Sequence, residues 1–281
     1  MALYAVNEDD LIHASDAEPR KIYWCMDCFG PVKRRRGRLR FPHFYHVSPA
    51  KQCRLYSKTQ DHLLVQIQIQ KSFPSGIIQI ERPFSKINRV ADLCWENEKI
   101  VFEIQCSLMS PKEAEMRIHD YRSIGYEVVW LLDDKKYNKR IIRPVEKYLR
   151  EKSAYYMTIK QGLTSNFYDQ FEIFAEGKRV KKGKKLQIDL KCIRNRPNIF
   201  FSEKHFPKQI VNLQCKKYFY KDRTHKALLN NTLAMQNWRA LEIHFVKKHK
   251  KPNLIRKFIT NYVSSPYLRL LETLINKSYK F

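Results

Sequence analysis

Residues 89–107, RVADLCWENEKIVFEIQCS, constrain the fold of this chain more than any other stretch, because apolar and polar side chains alternate on both sides of Glu96-Asn97-Glu98-Lys99. Alternation interrupted by a short polar turn predicts an antiparallel hairpin. Symmetric closure pairs Trp95 with Ile100, Leu93 with Phe102 and Ala91 with Ile104, placing these six apolar side chains on one face. The other face sets Asp92 opposite Glu103. Directly opposed β-carbons lie about 4.5–5.5 Å apart, and like charges there repel. Either the two acids point into solvent, or a cation lies between them. Hard oxygen ligands on a rigid hairpin suit Mg2+ or Mn2+, which keep waters and collect a substrate phosphate.

The flanking segments extend the pattern. Ser110-Pro111-Lys112-Glu113 is a capping box with proline at the first helical position, so a helix should start there and stop near Gly125. YEVVWLL, 126–132, reads as a buried strand. Upstream, Ser57 and Gln60 at capping-box spacing open a helix containing Asp61 and His62, although VQIQIQ at 65–70 alternates like a strand. A further strand is expected near IIQIERPF. The element order is α-β-β-β-α-β, that of the PD-(D/E)XK nuclease core.

Motifs carry the comparison further: CMDC at 25–28, PHFYH at 42–46, Cys53, SKTQDHL at 57–63, RVAD at 89–92, EIQCSLMS at 103–110, and Arg117, Tyr121 and Trp130 beyond them. In their order and spacing they resemble the CoiA-like family of bacterial competence proteins, over about the first half of the chain. The resemblance implies an α/β, restriction-endonuclease-like core in which Asp92, Glu103 and the Ile104 carbonyl hold magnesium or manganese. Gln105 stands where the wider fold usually has a lysine that positions the attacking water; the CoiA-like pattern shares this glutamine. Glutamine orients water but brings no charge, so metal or arginine, with Arg89 and Arg117 as candidates, must stabilise charge at phosphorus. His62 approaches the site from the first helix if it follows the family; a lone helical histidine otherwise packs or faces solvent. Glu81 is either a third acid or a charged strand end, and Tyr121 and Trp130 read as core aromatics. The implied role is processing or recombination of incoming DNA. A non-catalytic DNA-binding accessory that keeps the fold, or a defence nuclease, are the competing functions.

Cys25-x-x-Cys28, His43-x-x-His46 and Cys53 form a second metal pattern, with five ligands of the kind zinc takes at zinc-ribbon spacing. Four suffice. Cys25, Cys28, His46 and Cys53 are the favoured set, with His43 replacing His46 or Cys53 as the alternative. Such a module cannot bury a sizeable core, so zinc would be structural and supply folding energy. Between its halves lies KRRRGRLR, where Lys33, Arg34, Arg35, Arg36 and Arg38 form a basic run suited to phosphates.

The chain carries 54 Lys and Arg against 28 Asp and Glu, a net charge of +26, and residues 177–281 alone hold 26 basic against 5 acidic residues. Self-repulsion of this size calls for a polyanionic partner, and DNA, including single-stranded or branched forms, fits. Lys181, Lys182, Lys184 and Lys185 surround an expected hairpin turn at Gly183. Interleaved aromatics, Tyr218, Phe219, Tyr220, Trp238, Tyr262 and Tyr267, suit stacking on bases but read first as core positions. THKALLNNTLAMQNWRALEIHFVKKH has helical periodicity, and two short helices are expected around NLIRKFITNYV and PYLRLLETLIN.

Three units are expected: a zinc-ribbon-like module at 1–57, the nuclease-like domain at 58–152 and a basic, mostly helical nucleic-acid-binding domain at 153–281. Seven cysteines, with no membrane span or secretory signal in evidence, fit a reducing cytoplasm.

Overall fold

The structure, a computed structural model, describes residues 1–8, 10–38, 40–56, 58–159, 166–198, 200–229 and 232–250. Its strands are β1 (Tyr4–Asn7), β2 (Asp10–His13), β3 (Ile22–Trp24), β4 (Pro31–Gly37), β5 (Arg40–His46), β6 (Ile78–Phe84), β7 (Arg89–Trp95), β8 (Ile100–Gln105), β9 (Glu127–Asp133), β10 (Ala154–Thr158), β11 (Asn166–Asp169), β12 (Glu172–Ala175), β13 (Lys178–Lys182), β14 (Leu186–Gln187), β15 (Asp189–Asn195) and β16 (Lys217–Tyr220). Its helices are α1 (Gln60–Ser72), α2 (Pro111–Ser123), α3 (Pro144–Arg150), α4 (Lys208–Val211), α5 (Arg223–Leu229) and α6 (Thr232–Lys250). β1 to β5 form an antiparallel sheet in the order β2-β1-β3-β4-β5. A seven-stranded sheet follows the order β14-β11-β10-β9-β8-β7-β6.

The centre of that larger sheet is the expected α-β-β-β-α-β core. β6, β7 and β8 meander antiparallel, and β8, β9 and β10 then run parallel, joined by α2 and α3. β9 explains the burial on both sides: Val128, Trp130 and Leu132 face a cluster with Ala114, Ile118 and Tyr121 of α2, while Val129 and Leu131 face a cluster with Leu63, Val65 and Ile69 of α1. A strand covered by helices on both faces reads as a continuous apolar run, as YEVVWLL does.

Both helices beside the hairpin are fixed by caps. Ser110 Oγ accepts the Glu113 N–H at 3.1 Å, and Gly125 sits just past the end at φ 85°. α1 is capped by Thr59, whose Oγ1 accepts the His62 N–H at 3.3 Å. The expected cap, Ser57, lies outside the described residues. VQIQIQ is helical despite its alternation, because its buried residues, His62, Leu63, Val65, Gln66 and Ile69, follow three- and four-residue spacing.

The boundary expected at 152/153 is not where the sheet ends. β10, β11 and β14 extend it through Gln187, and Arg150 on α3 donates across the supposed boundary to Asp169 Oδ1 at 2.7 Å and to the Gln170 carbonyl at 3.1 Å. Nor are described residues 153–220 mostly helical: strands dominate them, and helices take over from Arg223. β16 returns to the core, where Phe219 packs 6.1 Å from Phe102 and 5.3 Å from Tyr155 and Lys217 Nζ donates to the Glu98 carbonyl at 2.6 Å. Trp238 likewise packs on Phe171 at 5.4 Å, whereas Tyr220 is exposed. The basic hairpin turns at Glu176-Gly177, both at positive φ, and not at Gly183. A β-carbon at Gly183 would fit tightly, meeting Phe171 and Trp238 at 3.3 Å. The two helices expected after residue 250, with Tyr262 and Tyr267, lie outside the described residues.

Candidate functional site

The site is built where the β6–β7 ladder is interrupted. Pairing runs from Ile78–Trp95 to Ile80–Leu93 and resumes at Arg82–Ala91, so the skipped step is Glu81 with Asp92. Glu81 has φ 52°, a left-handed conformation that a non-glycine residue adopts only when its surroundings enforce it. Side-chain alternation breaks with the ladder. Leu93 faces the α1 side, but Ala91 joins Cys94 on the α2 side, so the six apolar residues expected on one hairpin face are five.

What enforces the break is a set of hydrogen bonds to two buried carboxylates. Glu81 Oε2 accepts the N–H groups of Leu3 at 2.7 Å and Tyr4 at 3.0 Å, which binds the N-terminal sheet to the core. Its Oε1 lies 3.1 Å from Lys58 Nζ, and the same ammonium lies 2.7 Å from Asp92 Oδ1. His62 Nε2 is 2.9 Å from that oxygen, and the Gln66 amide donates to it at 3.4 Å and to the Asp92 carbonyl at 3.0 Å. Asp92 Oδ2 accepts the Ile104 N–H at 2.9 Å. Lys58, His62 and Gln66 thus converge from the start of α1 on one carboxylate. Burial opposes the Asp92 charge, yet His62 and Lys58 more than offset it and hold the carboxyl well below its usual range. Lys58, buried but paired with Asp92 and Glu81, is held above the usual lysine range.

Glu103 sits beyond the last paired step of the hairpin, Leu93–Phe102, on the α2 side. Its Oε1 accepts the Tyr121 hydroxyl and its Oε2 pairs with Arg117, both at 2.9 Å. Arg117 is steadied by Glu113 at 2.8 Å, so that residue does more than cap a helix, and by the Trp130 ring 6.0 Å away. Arg89 pairs with Asp120 at 2.7 Å. The repulsion expected across the hairpin is therefore met by the protein's own cations, Lys58 on Asp92 and Arg117 on Glu103. Burial, and then the charge of Asp92, still push the Glu103 carboxyl up to about 7.

Asp92, Glu103, Lys58, His62, Gln105 and Arg117 line one cavity, as does Arg89. The Gln105 amide donates to the Ser107 carbonyl at 2.8 Å and its hydroxyl at 3.2 Å, fixing the side chain at the cavity wall. Two carboxylates, with the Ile104 carbonyl on the strand between them and Gln105, form a hard-oxygen set of the kind magnesium and manganese take. The set fits such an ion with one reservation built into the geometry: Asp92 Oδ1 already carries an ammonium.

Residues 58–172 match the family model of the competence protein CoiA, nuclease-like domain. Over this segment the chain is similar to the CoiA nuclease-like family. No curated protein and no solved structure matches the chain. Of the residues expected at the CoiA-type site, Asp92, Glu103, Gln105, His62, Arg89 and Arg117 come together. Glu81 reaches the same ammonium but is taken up by the Leu3 and Tyr4 amides. Lys58 and Gln66 were missed, although their spacing of four residues on either side of His62 is a readable helical stripe. Tyr121 is a core aromatic that also serves the site through its hydroxyl.

The Cys/His pattern closes separately. Ligand atoms of Cys25, Cys28, His46 and Cys53 all lie within 4.8 Å of one another, with Cys25 and Cys53 Sγ 3.6 Å apart and Cys28 Sγ 3.2 Å from His46 Nε2. Ligands about 2.0–2.3 Å from a tetrahedral zinc are separated by roughly such distances, so this Cys3His cluster could bind zinc. His43 is not part of it; its Nδ1 lies 2.8 Å from the Phe41 carbonyl. Asp27 joins the halves of the cluster, accepting the Arg54 N–H and pairing with its guanidinium. Burial pushes the Cys25 and Cys53 thiols up.

The basic run forms the β4–β5 hairpin. Arg36 and Arg38 are exposed, Lys33 is half-buried, Arg34 donates to the Ala14 carbonyl at 2.8 Å, and Arg35 stacks on Tyr45 at 4.8 Å. Lys181, Lys182, Lys184 and Lys185 are exposed, with Lys182 held by the Asn138 carbonyl at 2.8 Å and Lys185 lying 4.1 Å over the Tyr168 ring.

Glu103 gives the site a pH signature. Its carboxyl titrates near about 7 in the folded chain against ~4.3 when unfolded. Between those values the native state keeps a proton that the unfolded chain has lost, so the stabilisation from this group is complete at low pH and is lost as pH rises through 7. Thermal melts without added divalent cation should therefore show Glu103→Gln gaining on the wild type between pH 5 and 8. A difference that stays constant across that range would contradict the assignment.

Proposed function

We propose that the chain is a metal-dependent deoxyribonuclease that processes DNA in competence or recombination. The observation that carries this is the convergence of Asp92, Glu103 and Gln105 on one cation-lined cavity inside the CoiA nuclease-like segment. Asp92, Glu103 and the Ile104 carbonyl would hold magnesium or manganese. When bound, such an ion polarises a phosphoryl oxygen and lowers the pKa of a water. Gln105, anchored at Ser107, orients the attacking water towards phosphorus. Arg117 and Arg89 supply positive charge at the wall against which the phosphodiester would lie. The exposed arginines of the β4–β5 hairpin and the lysines around Gly183 would track the phosphate backbone, and such contacts make binding fall steeply with salt. Zinc in the Cys3His cluster would be structural, because four protein ligands leave no open position.

A second reading has its own support. Asp92 Oδ1 already pairs with Lys58 and His62, and Gln105 brings no charge, which favours a DNA-binding recombination accessory that keeps the fold without cutting. The two readings separate on incubation with linear and circular, single- and double-stranded DNA, with and without Mn2+. The nuclease reading expects Mn2+-dependent products that disappear in Asp92→Asn and Glu103→Gln, with DNA binding retained. Binding without cleavage under any metal supports the accessory, and equal cleavage by Asp92→Asn places the chemistry elsewhere.

The zinc assignment is independent of cleavage. Protein purified without chelators should contain about one zinc per chain, and Cys25→Ser should lose both the metal and thermal stability, since structural zinc contributes folding energy. Elemental analysis of the wild type finding no zinc would rule the assignment out.

A further inference from the structure

Asp92 already carries a cation that belongs to the chain. Lys58 Nζ lies 2.7 Å from Asp92 Oδ1 and 3.1 Å from Glu81 Oε1, and only 8% of its side chain is exposed. It enters at the one step where the β6–β7 ladder is unpaired, immediately before the Thr59 cap and hence at the edge of the cavity. The other oxygen of Asp92 is committed to the Ile104 N–H. A divalent cation that ligates Asp92 through Oδ1, or through both oxygens, meets the ammonium there beside the His62 and Gln66 contacts, and a cationic group and a metal ion repel each other strongly at contact distance. Glu81 does not need the lysine to stay in place, because two backbone N–H groups hold its other oxygen.

We propose that Lys58 is an internal competitor for the divalent-cation site: its ammonium occupies Asp92 in the resting protein and must leave that oxygen before the metal binds. This rests on the metal-site reading above. Lys58 then sets how much metal the protein needs, and its lysine stem, rooted at the cavity edge, leaves the displaced ammonium beside the cavity whose Gln105 carries no charge. When a binding-competent state is only a minor fraction, apparent affinity falls by that fraction. A lysine that holds Asp92 more than about nine-tenths of the time weakens the metal on the order of 10-fold or more.

The test is calorimetric titration of Mn2+ into the full-length, purified protein, without DNA. Manganese is a poor competitor for a zinc site, standing below zinc in the affinity order. Lys58→Met should bind Mn2+ at least about 10-fold more tightly than the wild type, and adding Asp92→Asn should abolish that binding. Lys58→Met/Glu81→Gln removes one charge of each sign, guards against misfolding of the single variant, and should keep the gain. Arg89→Gln separates exchange from a general field effect: it removes a cavity cation that pairs with Asp120 and does not touch Asp92, and should change affinity by less than about 3-fold. Unchanged or weaker Mn2+ binding in both Lys58 variants overturns the proposal, as does an equal gain in Arg89→Gln. A wild type that never cuts DNA refutes the nuclease reading and leaves these affinities to decide the role of Lys58.

Discussion

One ammonium bridging two buried carboxylates organises this protein. Lys58 lies between Glu81 and Asp92 at the single skipped step of a β ladder, and pairs with both of these buried acids. An isolated buried charge costs several kcal/mol, and removing one partner of a buried pair typically costs about 3–5 kcal/mol. The same three groups connect separate parts of the chain. Glu81 holds the first residues of the N-terminal sheet, Asp92 gathers α1 and β8, and Lys58 stands at the entry to α1. The left-handed Glu81 and the rotated Ala91 are the local consequences.

That arrangement accounts for the chemical ambivalence of the site. Asp92, Glu103 and Gln105 line one cavity, yet each acid has a protein cation beside it. On the proposed reading, a divalent ion has to displace a bond to enter. In that reading, metal demand is coupled to a side chain outside the hairpin.

Much of this was legible in the sequence. Period-two alternation around a four-residue turn specified the hairpin, the Ser110 capping box specified α2, and CxxC with HxxH and Cys53 supplied five candidate ligands, of which the favoured four cluster. These signals are local, each requiring only neighbours in sequence. The rest depended on distant partners. Repulsion between Asp92 and Glu103 was readable, but Lys58 lies 34 positions before Asp92 and nothing local connects them. Ala91 changed faces because of Glu81 on another strand. Basic composition does not say where a cation sits: Arg150 and Arg179 are buried ion-pair partners of Asp169, Glu146 and Glu172. Charge counts do not distinguish a cation facing DNA from one that holds strands together.

The most direct measurement is a double-mutant cycle between Lys58 and Asp92, with Lys58→Met, Asp92→Asn and the combined variant unfolded in urea without added divalent cation. If the ammonium–carboxylate contact is the constraint on which the site rests, the single losses will not add, and the coupling energy will be on the order of 2–3 kcal/mol. Single losses that add to within about 0.5 kcal/mol would mean the two side chains act independently, and would contradict the account.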